Sequence, residues 1–202
     1  MAAIITEVIP QANFEIIHDK IGEILVVELA NQKTLQPLRL TENVGVFKER
    51  ITSVDKTEEV VISVLLDGFN SSYATQSDQQ NRTNYFIDIY ASGKAGIDTP
   101  GDNVVATIVQ KYIALIRYIL QSHKYVTLNL PLGTIGNTNV DSGQMYEQPN
   151  TPDANFSRMA RIGFSVKIME NQEVWEGILL DNNTTTVNIE LTDKGYQYKL
   201  KA

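Results

Sequence analysis

From Phe14 onward, apolar residues return every three or four positions: Phe14, Ile17, Ile21, Ile24, Leu25 and Leu29. That spacing lines one side of a helix and leaves Glu15, Asp19, Lys20, Glu23 and Glu28 on the other. Asn13 is the expected N-cap, and the helix is expected to end near Asn31, before Pro37. Gly22 inside it costs about 1 kcal/mol relative to Ala, which points to close packing against a neighbour. The period then shortens to two. Residues 44–52 predict a half-exposed strand with Lys48 and Arg50 on one face and Phe47 and Ile51 on the other, followed by a turn-rich break at 53–57. Residues 59–67 are more uniformly apolar (Val60, Val61, Ile62, Val64, Leu65, Leu66), as in a strand covered on both faces. A polar loop is expected over 68–83.

Residues 84–92 alternate cleanly, with Tyr85, Ile87 and Ile89 on one face and Phe86, Asp88 and Tyr90 on the other. After a Gly/Pro loop, Asp102 or Asn103 is the expected cap of a second helix, whose buried face is Val105, Ile108, Val109, Tyr112, Ile116, Ile119 and Leu120. Lys111 and Arg117 are expected outside, and His123 and Lys124 complement the negative helix end. A short strand is expected at 125–130, a second long polar loop at 131–156, and a long strand at 157–170. Ala160, Ile162, Phe164, Val166 and Ile168 face inward in that strand, and Arg158, Arg161 and Lys167 punctuate it. The tail adds strands near 174–180, 184–191 and 196–200. This order predicts an α+β fold: an antiparallel or mixed sheet with two main helices on one face, long loops and extra C-terminal strands. The expected division is a domain at 1–170 and a C-terminal β extension at 171–202, packed on the same domain or on a neighbouring subunit.

Composition narrows the function classes. The chain has 202 residues, 43% of them apolar, enough to bury a core. A net charge of −7 disfavours a dominant grip on nucleic-acid phosphates, which need clustered Lys and Arg. With no cysteine, disulfides, thiol nucleophiles and zinc–thiolate sites are excluded. The N-terminal stretch has neither the basic segment nor the apolar core of a signal peptide, so the Asn70, Asn81 and Asn183 sequons are read as chance. No run approaches the roughly 18 apolar residues of a membrane span.

Catalytic motifs are scarce. Ser92-Gly93-Lys94 follows a strand, but the spacing of a phosphate loop fails and Ala95 follows the lysine. His18 and His123 are expected to be solvated or capping residues rather than catalytic bases. Asp67, Asp88, Asp98 and Asp102 lie near strand ends or loops, where a divalent ion binds in other proteins, without the spacing of a calcium loop. A carboxylate–metal enzyme is therefore the competing class. Trp175, like Tyr85 and Tyr90, suits a core or an interface. The two long loops, polar and uncharged with Tyr73, Tyr146 and Phe156 as anchors, suit ordering against a neighbouring protein. Arg158 and Arg161 are candidates for interface ion pairs.

These segments together resemble the tail terminator (tail completion) proteins of long-tailed bacteriophages. The resemblance rests on the helix at 13–29, on Phe47-Lys-Glu-Arg50 followed by Asp55-Lys-Thr-Glu58, and on Tyr85-Phe-Ile-Asp-Ile-Tyr-Ala91. It continues through the helix at 104–120 and the arginine-bearing strand at 158–168, covering roughly residues 10–170. It implies a non-enzymatic virion protein of the tail or neck, assembled in the host cytoplasm, with no cofactor and no membrane. Such proteins form a hexameric ring at the head-proximal end of the tail tube, stop tube polymerisation and dock the head connector. The implied partners are further copies of itself, the tail tube protein and the connector or stopper protein. DNA only passes through the lumen, which an acidic chain suits because the DNA must slide rather than stick. Other head–tail neck proteins share related folds, and the strands after Glu170 exceed the smallest members of the family.

Overall fold

The computed structural model describes residues 8, 11–50, 58–73, 79–94, 100–147, 156–170, 184–188 and 195–199. The chain divides into two compact units, Met1–Asn171 and Gln172–Ala202. In the first unit the described elements are α1 (Asn13–Leu35), β1 (Val44–Lys48), β2 (Val60–Tyr73), β3 (Gln79–Gly93), α2 (Gly101–Leu120), β4 (Ile135–Glu147) and β5 (Phe156–Glu170). They form an α+β fold with one mixed five-stranded sheet in the order β1-β2-β3-β5-β4. β1 and β2 are parallel; every other neighbouring pair is antiparallel. In the second unit, β6 (Thr184–Asn188) and β7 (Gly195–Lys199) pair as an antiparallel two-stranded sheet.

Alternation decides what each face of the large sheet carries. Ile62 on β2, Ile87 and Ile89 on β3, and Ile162 and Phe164 on β5 point to the helix side and are buried. They join Ile17, Ile21 and Leu25 of α1 and Val105, Val109, Tyr112 and Ile116 of α2 in one cluster. Such aliphatic side chains contribute roughly 1.5–3 kcal/mol each when fully buried. α2 has a mean hydropathy of 1.3, enough by length and composition to cross a membrane, but its apolar side lies against β3 and β5. Tyr85 is wholly buried and donates its hydroxyl to the Phe14 carbonyl at 2.8 Å, tying the start of α1 to the centre of the sheet.

Several sequence expectations are corrected. Asn13 is the first residue of α1, Ala12 takes the N-cap position, and the helix continues to Leu35. α2 likewise starts at Gly101 after Pro100, with Asp102 in its first turn rather than at the cap. β1 stops at Lys48 because Glu49 turns left-handed, with φ 52°. The polar stretch 68–83 is largely strand: β2 and β3 stay in register from Gly68↔Asn84 to Tyr73↔Gln79. Residues 125–130 form no strand; a short 3₁₀ turn and two left-handed residues, Leu128 and Asn129, carry the chain around. Residues 135–147, expected within the second long loop, form β4 instead.

Lys111 is not outside. Its side chain is 13% exposed and pairs with Glu42 at 2.5 Å. His18 is 12% exposed, not solvated; Nε2 donates to the Val64 carbonyl at 2.9 Å, lies 3.2 Å from Glu49 Oε1, and its ring stacks on Tyr85. The expectations at 51–57, Asp98, 174–180, Trp175, Asn183, 189–191 and Leu200 lie outside the described residues.

Candidate assembly surface

The register of the sheet places the candidate residues. Two rows run across the face opposite the helices: Phe47–Ser63–Asp88–Arg161–Gln144, and Gly45–Val61–Tyr90–Met159–Tyr146. Arg161 is 34% exposed in its side chain, and Asp88 beside it has no exposure. The guanidinium donates twice to that carboxylate, Nε to Oδ1 at 2.7 Å and Nη2 to Oδ2 at 2.8 Å, and stacks on Phe86 at 4.3 Å. Tyr90 donates its hydroxyl to the same carboxylate at 3.3 Å. Asp88's hydrogen bonds hold the Arg161 guanidinium above its ordinary pKa. Burial, and then the Asp88 charge, push the Tyr90 phenol up.

A second clamp of the same kind sits nearer β1. Arg50 stacks on Phe47 at 4.4 Å and meets Glu58 with two hydrogen bonds of 2.8 and 2.7 Å, while its amide donates to Ser63 Oγ at 2.9 Å. Paired, planar contacts of this type fix geometry as well as charge. Arg161 thus has an intramolecular partner in Asp88. It still presents a stacked, partly exposed cation.

The other candidates separate. Tyr146 lies on this face at the edge strand, is 41% exposed and donates to Gln144 Oε1 at 2.6 Å. Arg158 is in register with Ala91 and Glu147, on the helix side, half-buried and engaged. Phe156 is no tip of a loop: it begins β5 and packs over Gly101, where a Cβ would overlap its ring. Tyr73 ends the described part of β2, with Gln79 opposite.

Among the described residues, no group of three or more His, Asp or Glu side chains is placed to hold a metal ion. Of the four aspartates considered, Asp88 is clamped by Arg161, Asp67 is exposed where β2 shifts register, and Asp102 lies in the first turn of α2. A further polar network lies on the helix side, where Glu42 receives Lys111 Nζ at 2.5 Å and the Tyr112 hydroxyl at 3.2 Å. Burial pushes the Glu42 carboxyl up, but hydrogen bonds from Lys111 and its own backbone, with the lysine's charge, outweigh it and leave the pKa lowered. Burial and Glu42 together push Tyr112 far above the ordinary tyrosine range.

Of the two edges of the large sheet, β1 is legible in the sequence and β4 is not. β4 carries just Ile135, Val140, Met145 and Tyr146 among glycines and polar residues, too sparse for a strand signal, and two register shifts interrupt its alternation. The surface this assembles is the sheet face opposite α1 and α2, buried at Val61, Ser63, Asp88 and Tyr90, with two arginine clamps and an exposed edge strand beside it. Backbone groups on such an edge are ready to pair with another chain. No protein-family model and no curated protein sequence matches this chain.

Proposed function

We infer that this chain is a structural virion protein of the head–tail neck, a tail terminator that forms a ring at the head-proximal end of a phage tail tube. In that role it stops tube polymerisation and joins the tail to the head connector. The observation that carries the reading is the placement of most segments that resemble the family. Residues 13–29 lie in α1, Tyr85–Ala91 in the central strand β3, 104–120 in α2 and 158–168 in β5, all contributing to the core; Phe47–Arg50 spans the end of β1, and 55–57 lie outside the described residues. Two unlike open sheet edges and an exposed Tyr146 add a plausible means of self-association. The partners are then other copies of the chain, the tail tube protein and the connector protein, with DNA passing through the lumen. Another neck ring protein would use the same surface.

Native mass spectrometry with negative-stain imaging, over a range of concentrations at low salt, is the test. A closed ring near six subunits with a central hole is the expected outcome. A chain that stays monomeric throughout, and does not bind a purified tail-tube end, overturns the reading.

A further inference from the structure

The large sheet ends in two edges that differ in kind. β1 offers five residues, Val44–Lys48, and β4 offers thirteen. Register shifts at Ile135/Asn137 and Val140/Ser142 divide β4 into two regular stretches, of which the longer, residues 142–147, is close to β1 in length. Following the pairings across the sheet, β1 and β4 run in opposite directions. The longer regular stretch of β4 in one copy therefore fits β1 of another as an antiparallel neighbour, with the helices of both on the same side.

Beside β1, on the helix side, lies an open apolar pit of about 210 Å³. Val26, Ala30 and Lys33 of α1 form one wall, Val44 and Val46 the other, and Leu40, which is 2% exposed, lies at its base. A cavity of about 150 Å³ accepts a benzene molecule, so the pit has room for one apolar side chain. A sixth strand beside β1 would point such a side chain into it. At the opposite end of the sheet, Met145 occupies the helix-side row Val46–Ile62–Ile89–Ala160–Met145 and is 38% exposed. Its flexible thioether suits an irregular apolar recess.

The geometry points to a head-to-tail contact between two copies of this chain, in which residues 142–147 of one pair with Val44–Lys48 of the next and Met145 enters the pit between α1 and β1. Because the two surfaces differ, each copy keeps one of each free, and the contact repeats until it closes. The contact deepens the proposed ring and rests on that reading for its closure, though the pairing itself is tested separately.

The absence of cysteine makes the test direct. Ala30→Cys and Met145→Cys are prepared separately, both on exposed positions, then mixed and oxidised. A disulfide-linked heterodimer is expected in the mixture, with neither variant linking to itself, and none when Tyr118→Cys on α2 replaces Met145→Cys. Ala30→Trp, which fills the pit from an exposed helix position, should abolish the assembly while leaving the thermal melt of the monomer unchanged. A ring seen by native mass spectrometry without the Ala30–Met145 link overturns this contact and leaves the ring standing. The link in open chains that never close supports the contact and removes the ring. Self-linking of Met145→Cys alone means β4 pairs with β4, and overturns the proposal.

Discussion

Arg161 on β5 holds Asp88 on β3 through two parallel hydrogen bonds, on the face of the sheet opposite α1 and α2. Asp88 has no solvent exposure, so losing Arg161 would leave a buried carboxylate without its paired donor. Arg161→Met should cost about 2–3 kcal/mol, toward the low end for breaking a buried pair because the arginine is partly exposed. Arg161→Met with Asp88→Asn should recover part of that loss, read by urea denaturation of both singles and the double. If Arg161→Met shifts the midpoint no more than an ordinary surface change, the pair holds nothing together.

Glu42 sets the acid limit of the helix–sheet packing. Its pKa is lowered from an ordinary value of 4.5, so the unfolded chain takes up a proton there before the folded one does. The stabilisation is therefore complete above about pH 5 and is lost as pH falls through the lowered folded value. Glu42→Gln should flatten the stability profile below pH 4.5 relative to the parent. Equal slopes in both proteins would assign the acid sensitivity elsewhere.

Gly101 opens α2 directly beneath the Phe156 ring, with no space for a β-carbon. Gly101→Ala should destabilise by about 1–3 kcal/mol, as overpacking does, although alanine is the better helix former. A combined Gly101→Ala, Phe156→Leu variant should be more stable than Gly101→Ala alone if the ring is the obstacle. The melting temperature of the two variants decides it.

Tyr146 makes one hydrogen bond, to Gln144 two residues away, and is otherwise presented on the open face. Tyr146→Ala should leave stability within about 0.5 kcal/mol, as at most surface positions. On the ring reading, the same change weakens self-association, measured by sedimentation over concentration. A large fall in melting temperature would place Tyr146 in the fold instead of in the assembly.

The helices and the three central strands were legible because their burial has a period. Val105, Val109, Tyr112 and Ile116 follow the turn of a helix, and Tyr85, Ile87 and Ile89 alternate to face the core between sheet and helices. Where backbone pairing does the work, the pattern is silent: Asn70–Tyr73 and Gln79–Arg82 are polar, yet lie in register with one another. β4 was invisible for the same reason, its strand state resting on β5 rather than on its own side chains. Lys111 was misplaced because its partner Glu42 is distant in sequence. The same holds for Arg161, read as an interface cation, and Asp88, weighed as a metal carboxylate, which only the strand register brings together.

One consequence concerns the order in which this fold can be built. β2 with β3, and β4 with β5, are hairpins between strands consecutive in the chain, but the seam joining them runs between Gln79–Gly93 and Phe156–Glu170. α2 is made between the two. At synthesis rates of about 5–20 residues per second, the emerging chain must carry an unpaired β3 edge and an apolar α2 for several seconds before β5 arrives. The last strand of the sheet to be synthesised is also one of its central ones, and the long closure it requires makes folding slow relative to a helical domain of equal stability. During that interval β3 offers its bare side to any strand nearby, including one from a neighbouring nascent chain on the same messenger.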